Sequence, residues 1–417
     1  MKKYYSDERC CECGGYFRGI KIPMKYGYVC PACYRELNGM EGYDDQDNEE
    51  DEEGFFDGAS ELLEGEMDEP DLDEPILNPR EIVEYLDQYV MGQEKAKKQL
   101  AVAAYNHHAR ITHPHLKLKK SNVLLYGPTG SGKTYTIQKM ADILKVPLVI
   151  ADASTITEAG YKGGKIEHAI LELYYAADCD IKKAERGIVF FDEFDKLSTK
   201  LGHTTEAGPS VGSMVQRQML KCIEGTKVRI PREMMQRVGE SRVKETICID
   251  TSNILFICGG AFVGLEKKKN QKVRKIGFYG TNDISEEEPS AEGQVGTEEF
   301  LEYGIIPELM GRLPVIVGLN ELNEEDLYHI LKESKESVLN AHIDFFWEEG
   351  IDLIFSDEAI REIAHLAHVR KVGARGIQTI VEDVMQPIIF EVFSGPQREK
   401  CVVTRECVQG IEPPSID

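Results

Sequence analysis

The stretch that decides the fold is "SNVLLYGPTGSGKTYT", Ser121–Thr136. Its apolar run, Val123 to Tyr126, reads as a buried strand; a glycine-rich turn follows, and then a helix begins. Gly127, Gly130 and Gly132 let backbone N–H groups surround phosphate oxygens, and Pro128, Thr129 and Ser131 complete the loop. Lys133 is placed to reach the β and γ phosphates, and Thr134 offers its hydroxyl to Mg2+. The helix N-terminus beneath adds partial positive charge. The spacing predicts a site for ATP with Mg2+.

The partner motif follows in "RGIVFFDEFDKL", Arg186–Leu197. Ile188–Phe191 has the pattern of a strand buried on both faces and ended by charge. Asp192 at its end would hold Mg2+ directly or through water, and Glu193 would polarise the attacking water. Taken alone, Asp-Glu after an apolar run is an ordinary strand-end turn. With the phosphate loop upstream it becomes the hydrolytic half of a nucleotide site. "TSNILFICGGAF", Thr251–Phe262, is another core strand leading to glycines. Strands alternating with helical stretches from Asn122 onward predict a doubly wound α/β sheet with the phosphates at the carboxyl ends of its strands. From Asn320 on, "EEDLYHILKES" and "DEAIREIAHLAHV" carry helical spacing and predict a small, mainly helical domain.

At the other end of the chain, Cys10, Cys13, Cys30 and Cys33 form two C-x2-C pairs separated by sixteen residues. Four thiolates at this spacing suit tetrahedral Zn2+ in a closed structural site, and the metal would supply most of the folding free energy of so small a segment. Cys11 is an alternative to Cys10, but the x2 spacing favours Cys10.

The chain has 417 residues and a net charge of −24, which disfavours nonspecific binding to nucleic acid or to anionic membranes. From Glu41 to Glu74 there are 18 Asp or Glu and no Lys or Arg, so most of the excess charge sits in a self-repelling linker. Phe55, Phe56, Leu62 and Leu63 within it leave a short partner-binding element as the lesser reading. No apolar run reaches the ~18 residues of a membrane span, and the N-terminus lacks a signal-peptide core. Eleven cysteines, five of them in the first 33 residues, point to a reducing, cytoplasmic setting rather than a disulfide scaffold. The expected organisation is a zinc-binding ribbon over 1–40, a linker over 41–78, a large ATPase domain over 79–318 and a lid over 319–417.

Several stretches together resemble the ClpX family of AAA+ unfoldases, ring-shaped partners of the ClpP peptidase. They are "EIVEYLDQYVMGQEKAKKQLAVAAYNHHARI", "GPTGSGKT", "ADASTITEAGYKGG", "RGIVFFDEFDKL", "TSNILFICGGAF", "GIIPELMGRLPVI" and "KVGARGIQTIVEDVM", in that order, with the four-cysteine ribbon before them. The resemblance implies an AAA+ P-loop NTPase fold and a homo-hexamer with ATP between subunits. It implies that Val90 and Met91 line the adenine pocket, where "YVMGQ" by itself reads only as core. It makes Arg312 a finger that reaches the neighbouring subunit's γ-phosphate; without it, Arg312 is a surface salt-bridge partner. It makes Arg375 a lid arginine that senses the same phosphates. It also implies protein substrates, a ClpP-type peptidase partner, and adaptor proteins bound through the ribbon.

Tyr161 stands between Gly160 and the Gly163-Gly164 pair, an aromatic on a mobile loop with little to pack against. The resemblance places it, with Lys162 beside it in the pore loop, in the axial channel, where the aromatic grips an unfolded chain. Ile276, Gly277 and Phe278 are apolar within a charged stretch, "VRKIGFYGTND", as a docking contact would be. In the family an Ile-Gly-Phe loop docks on the peptidase.

The chain also departs from the family pattern. Lys162 replaces a small apolar residue, "TEAGPSVGS" lacks the arginine of a second pore loop, and "TKVRIPREMMQRVGESRVK" replaces the entrance loop with six basic and two acidic residues. An intact motor with altered substrate choice is the expectation. The competing readings are a remodelling ATPase without a peptidase and a zinc-ribbon ATPase acting on nucleic acid; the acidic charge opposes the latter.

Overall fold

The computed structural model describes residues 78–156, 166–199, 211–230, 246–265, 295–371, 373–395 and 398–416, together with four short strands near the N-terminus. The chain divides into two compact units, Met1–Asp73 and Glu74–Asp417. In the first, β1 (Glu8–Arg9) pairs antiparallel with β2 (Tyr16–Phe17), and β3 (Ile22–Met24) with β4 (Gly27–Val29). Cys10, Cys13, Cys30 and Cys33, the acidic run, Tyr161, Lys162, Ile276, Gly277 and Phe278 lie outside the described residues.

The second unit opens with Asn78. Its side chain accepts from the Arg80 and Glu81 N–H groups while Glu81 accepts from the Asn78 N–H. Reciprocal capping with Pro79 at the first helical position starts α1 (Pro79–Leu86). The chain then runs α2 (Glu94–Thr112), β5 (Val123–Tyr126), α3 (Lys133–Leu144), β6 (Leu148–Asp152), α4 (Ile166–Ala176), α5 (Ile181–Ala184), β7 (Ile188–Asp192) and α6 (Val211–Glu224). An antiparallel hairpin follows, β8 (Lys227–Ile230) with β9 (Ile247–Asp250). Then come β10 (Leu255–Gly260), α7 (Thr297–Tyr303), α8 (Pro307–Met310) and β11 (Val315–Gly318).

Five parallel strands make the central sheet, in the order β11-β5-β10-β7-β6. The unbroken apolar runs of β5, β7 and β10 reflect burial on both faces. Leu124, Val189, Phe191, Phe256 and Cys258 pack into one core, with residues of α4, α6 and α7. Their immediate neighbours Val123, Leu125, Ile188, Phe190, Leu255 and Ile257 pack into the other, against α1, α2 and α3. Successive residues of a strand point to opposite faces, so a sheet covered on both sides needs apolar residues at every position.

After β11 a separate core is drawn from residues between Leu322 and Val408. It is built from α9 (Glu324–Lys332), α10 (Val338–Glu348), β12 (Asp352–Phe355), α11 (Asp357–Val369), α12 (Gly373–Ser394), β13 (Lys400–Val403), α13 (Arg405–Val408) and β14 (Ser415–Ile416). Helices predominate, as the spacing predicts, but there is also a small sheet, with β13 parallel to β12 and antiparallel to β14. These strands carry only short apolar runs, Leu353 to Phe355 and Cys401 to Val403, and burial along β12 and β13 alternates.

Candidate nucleotide site

The phosphate loop leaves the carboxyl end of β5, as expected for an α/β sheet. Gly127 has φ +151°, and a Cβ there would stand 2.5 Å from the Leu319 carbonyl oxygen. Only glycine both tolerates that backbone and lets the loop pass so near the chain after β11. Ser131 is buried, and its Oγ has no hydrogen-bond partner among the described residues. A buried hydroxyl is costly without a partner, so the loop fits a ligand bearing hydrogen-bond acceptors.

Lys133 and Thr134 open α3 directly from this loop. Lys133 Nζ donates to the Gly127 carbonyl at 2.7 Å and to the Pro128 carbonyl at 2.9 Å. Burial lowers the pKa of this ammonium; Asp192 and Asp195 oppose that, and Arg375 adds to it. Thr134 Oγ1 donates to Asp192 Oδ2 at 3.0 Å. The strand order explains the meeting, since β10 alone separates β5 from β7 and all three run in the same direction. A hydroxyl and a carboxylate so juxtaposed are hard oxygen donors that suit Mg2+.

Asp192 Oδ1 accepts from the Glu193 N–H at 2.8 Å. Glu193 turns the chain with φ +55° and forms an ion pair with Lys196. One turn on, Asp195 accepts from the Phe262 N–H at 3.3 Å. β10 passes close by, for a Cβ on Gly260 would lie 2.6 Å from Asp195 Oδ1. Gly260, the last residue of β10, thus allows close packing against the acidic turn, while a Cβ on Gly259 would lie 2.5 Å from the Phe190 ring.

The part of the chain after β11, expected as a lid, meets the same loop. The Ala374 N–H donates to the Gly130 carbonyl at 3.1 Å. Gly373 has φ +57°, and a Cβ there would be 2.9 Å from Gly130 Cα. This contact brings the start of α12 to the phosphate loop and sets Arg375, exposed, near enough for Lys133 to feel its charge. A cavity beside the loop is lined by Pro128, Thr129, Gly130 and Ser131 on one side and by Glu321, Leu327, His368 and Lys371 on the other. Sequence reasoning missed these last four, which share no local motif with the loop. A signal was nevertheless present: His368 and Lys371 lie just before the Gly373-Ala374-Arg375 turn.

Val90 is buried and Met91 half-buried, and neither lines that cavity. They precede two left-handed residues, Gly92 and Gln93. The Gln93 amide exchanges two hydrogen bonds with the Asn320 main chain, each 2.9 Å, and so ties this turn to the segment entering the lid.

Arg312 is elsewhere. Val315, the first residue of β11, pairs with Val123, the first of β5. Arg312 therefore stands at the amino end of the sheet, about 13 Å of strand from the loop at ~3.3 Å per residue. Its guanidinium pairs with Glu224, Nε to Oε1 at 3.0 Å and Nη2 to Oε1 at 2.9 Å. Its carbonyl accepts from Asn122 Nδ2 at 3.0 Å. Within one chain the structure brings Lys133, Thr134, Asp192, Glu193 and Arg375 together and leaves Arg312 apart.

Two family profiles match the chain: an AAA domain of the Cdc48 subfamily over residues 118–316, and the C-terminal, D2-small domain of ClpB protein over residues 322–403. Similar curated proteins include the ATP-dependent Clp protease ATP-binding subunit ClpX 2 of Wolinella succinogenes, 41% identical over 80% of this chain and 82% of that protein. The ATP-dependent Clp protease ATP-binding subunit ClpX of Treponema denticola is 42% identical over 80% of this chain and 81% of that protein. That of Borrelia duttonii is 40% identical over 79% and 78%.

Proposed function

The chain belongs to the ClpX family of ATP-dependent Clp protease ATP-binding subunits and is an ATP hydrolase, and on that premise we propose that it unfolds protein substrates and threads them into a ClpP-type peptidase. The observation that carries the enzymatic part is the convergence of Lys133, Thr134, Asp192 and Glu193 at one end of the sheet. In this reading the loop from Gly127 to Gly132 and Lys133 hold the phosphates of ATP. Thr134 and Asp192 hold Mg2+, which would neutralise phosphate charge. Glu193 orients water and accepts its proton; to do so it must leave Lys196, an exchange that is cheap for an exposed pair. Val90 and Met91 line the adenine pocket, and Arg375 carries the state of the phosphates to the lid.

Arg312 supports assembly into a ring, proposed here as a hexamer. A cation at the far end of the sheet cannot serve its own site, but it can stabilise transition-state charge on a neighbour. Tyr161 and Lys162 are proposed as the substrate-gripping loop and Ile276, Gly277 and Phe278 as the peptidase contact. Cys10, Cys13, Cys30 and Cys33 are proposed as a structural Zn2+ site through which adaptors bind. Under this proposal the domains are those expected over 1–40, 41–78, 79–318 and 319–417.

The test is ATP-dependent degradation of a tagged, stably folded protein by the purified chain with a ClpP-type peptidase. Degradation is expected with ATP, and none from Glu193→Gln. Deleting Ile276 to Phe278 should abolish degradation and spare unfolding. Unfolding that persists in a Tyr161→Ala chain at the normal rate, with hydrolysis intact, would defeat the threading reading.

A further inference from the structure

The lid is also fastened to the ATPase core on α3, the helix that begins at Lys133. Tyr135 and Lys139 are four residues apart and so share one face of that helix. Both bind the same lid carboxylate, in the turn between α9 and α10. Tyr135 OH donates to Glu336 Oε2 at 2.9 Å, and Lys139 Nζ to Glu336 Oε1 at 2.6 Å. Around this ion pair the packing is layered. Lys139 Nζ lies 4.7 Å from the centre of the Tyr89 ring and 5.5 Å from that of Tyr135. Lys335, beside Glu336, approaches the same Tyr89 ring at 5.9 Å. Ser334 Oγ donates to the Tyr89 carbonyl at 3.2 Å, and the Lys335 N–H to the Gln88 carbonyl at 3.0 Å.

We propose that Glu336 is a positioning residue for the nucleotide site, locking the lid to the phosphate-loop helix so that Arg375 is held at one distance from the bound phosphates. The inference rests on the reading that the phosphate loop takes ATP. The other ties named above each include a main-chain group: Ala374 to the Gly130 carbonyl, the Asn320 main chain to the Gln93 amide, Ser334 to the Tyr89 carbonyl and Lys335 to the Gln88 carbonyl. The Glu336 tie is the charged one among these, and it stands on the helix rather than on the loop. Pulling on α3 and pulling on the lid are therefore one movement. The ionisation of the cluster agrees with a closed tie. Hydrogen bonding from Lys139 lowers the Glu336 pKa, against burial and with help from Tyr135. Burial, then Glu336, pushes the Tyr135 phenol up to about 12.

The experiment uses the full-length chain and its charge-reversed forms. Dissociation of a fluorescent ATP analogue is followed in a Glu193→Gln background, and steady-state ATP hydrolysis is measured in chains with Glu193 intact. Glu336→Gln is expected to speed analogue dissociation and raise KM by about threefold, and Glu336→Lys by about tenfold, with kcat changed less than KM. Lys139→Glu should match Glu336→Lys. The double variant Lys139→Glu with Glu336→Lys should return both quantities to within about twofold of the parent, which a merely structural defect at either position would not do. The milder Glu336→Gln keeps the test open should a reversal fail to fold. Single variants with the parent's dissociation rate and KM, or a swap that restores nothing, would overturn the proposal alone. A parent chain that bound no analogue would overturn the nucleotide-site reading and the proposal with it.

Discussion

At the amino end of the five-stranded sheet, side chains of this chain cover its own carbonyls. Lys120 Nζ donates to the carbonyls of Ile223 and Thr251, Arg110 to that of Ser252, and His107 Nε2 to that of Arg186. At the carboxyl end, glycines shape a loop, two carboxylates follow β7, and the buried Ser131 Oγ has no partner among the described residues. Both ends are polar, but the first is satisfied within the chain and the second is arranged for an anion from outside. The difference teaches where a nucleotide can bind. Arg312 lies on the sealed end, where its side chain pairs with Glu224 in an exposed contact that gives way easily.

The comparison breaks most sharply at Arg312. Arg312→Ala is expected to cut ATP hydrolysis by about 10³-fold while its own nucleotide binding stays intact. Mixing those chains with Glu193→Gln chains should restore part of the activity, because each supplies what the other lacks. If mixing restores nothing, the amino end does not serve a neighbour.

At the carboxyl end, Glu193→Gln should lower hydrolysis by about 10²- to 10³-fold and leave ATP affinity within about threefold, as read by turnover against equilibrium binding. A parallel loss of affinity would mean that Glu193 holds the nucleotide rather than the water.

The sealed end carries a pH signature. Burial lowers the His107 pKa to about 4, with Lys120, Arg110 and His108 adding to the shift and the Arg186 carbonyl opposing it. Above about pH 6.5 the imidazole is neutral in both folded and unfolded chains. As pH falls from 6.5 to 4, the unfolded chain takes up a proton that the native state refuses, so stability is lost across that window. Carboxylates titrate toward the acid end of the same window, so the measurement is a difference. The loss in the parent chain should exceed that in His107→Gln by roughly 3 kcal/mol in denaturant melts at each pH. Equal slopes would show that His107 is not held neutral.

The smallest expected effect is at Glu224. Its pair with Arg312 is largely solvated, so Glu224→Gln should change stability by less than about 1 kcal/mol. A large loss would place this pair among the sealed contacts and end its role as a releasable partner.

The phosphate loop, the strand that ends at Asp192 before Glu193, the strand that runs into Gly259 and Gly260 and the helical character of the lid were all legible in the sequence. Each is encoded over a few consecutive residues, by backbone freedom at glycine or by apolar spacing, and a chain carries such signals without being folded. The small lid sheet was not legible, since β14 has two residues and the four-residue β12 and β13 are buried only at alternate positions. Nor was the approach of Glu321, Leu327, His368 and Lys371 to the loop, nor the grip of Glu336 on Tyr135 and Lys139 across 201 and 197 positions. Likewise, "YNHHAR" does not say which histidine is sealed; the packing of α2 against the Arg186 turn decides that it is His107. Local pattern determined what chemistry the chain carries. Only the tertiary fold decided which end of the sheet each charge occupies, because that depends on strand order and on contacts between residues far apart in the chain.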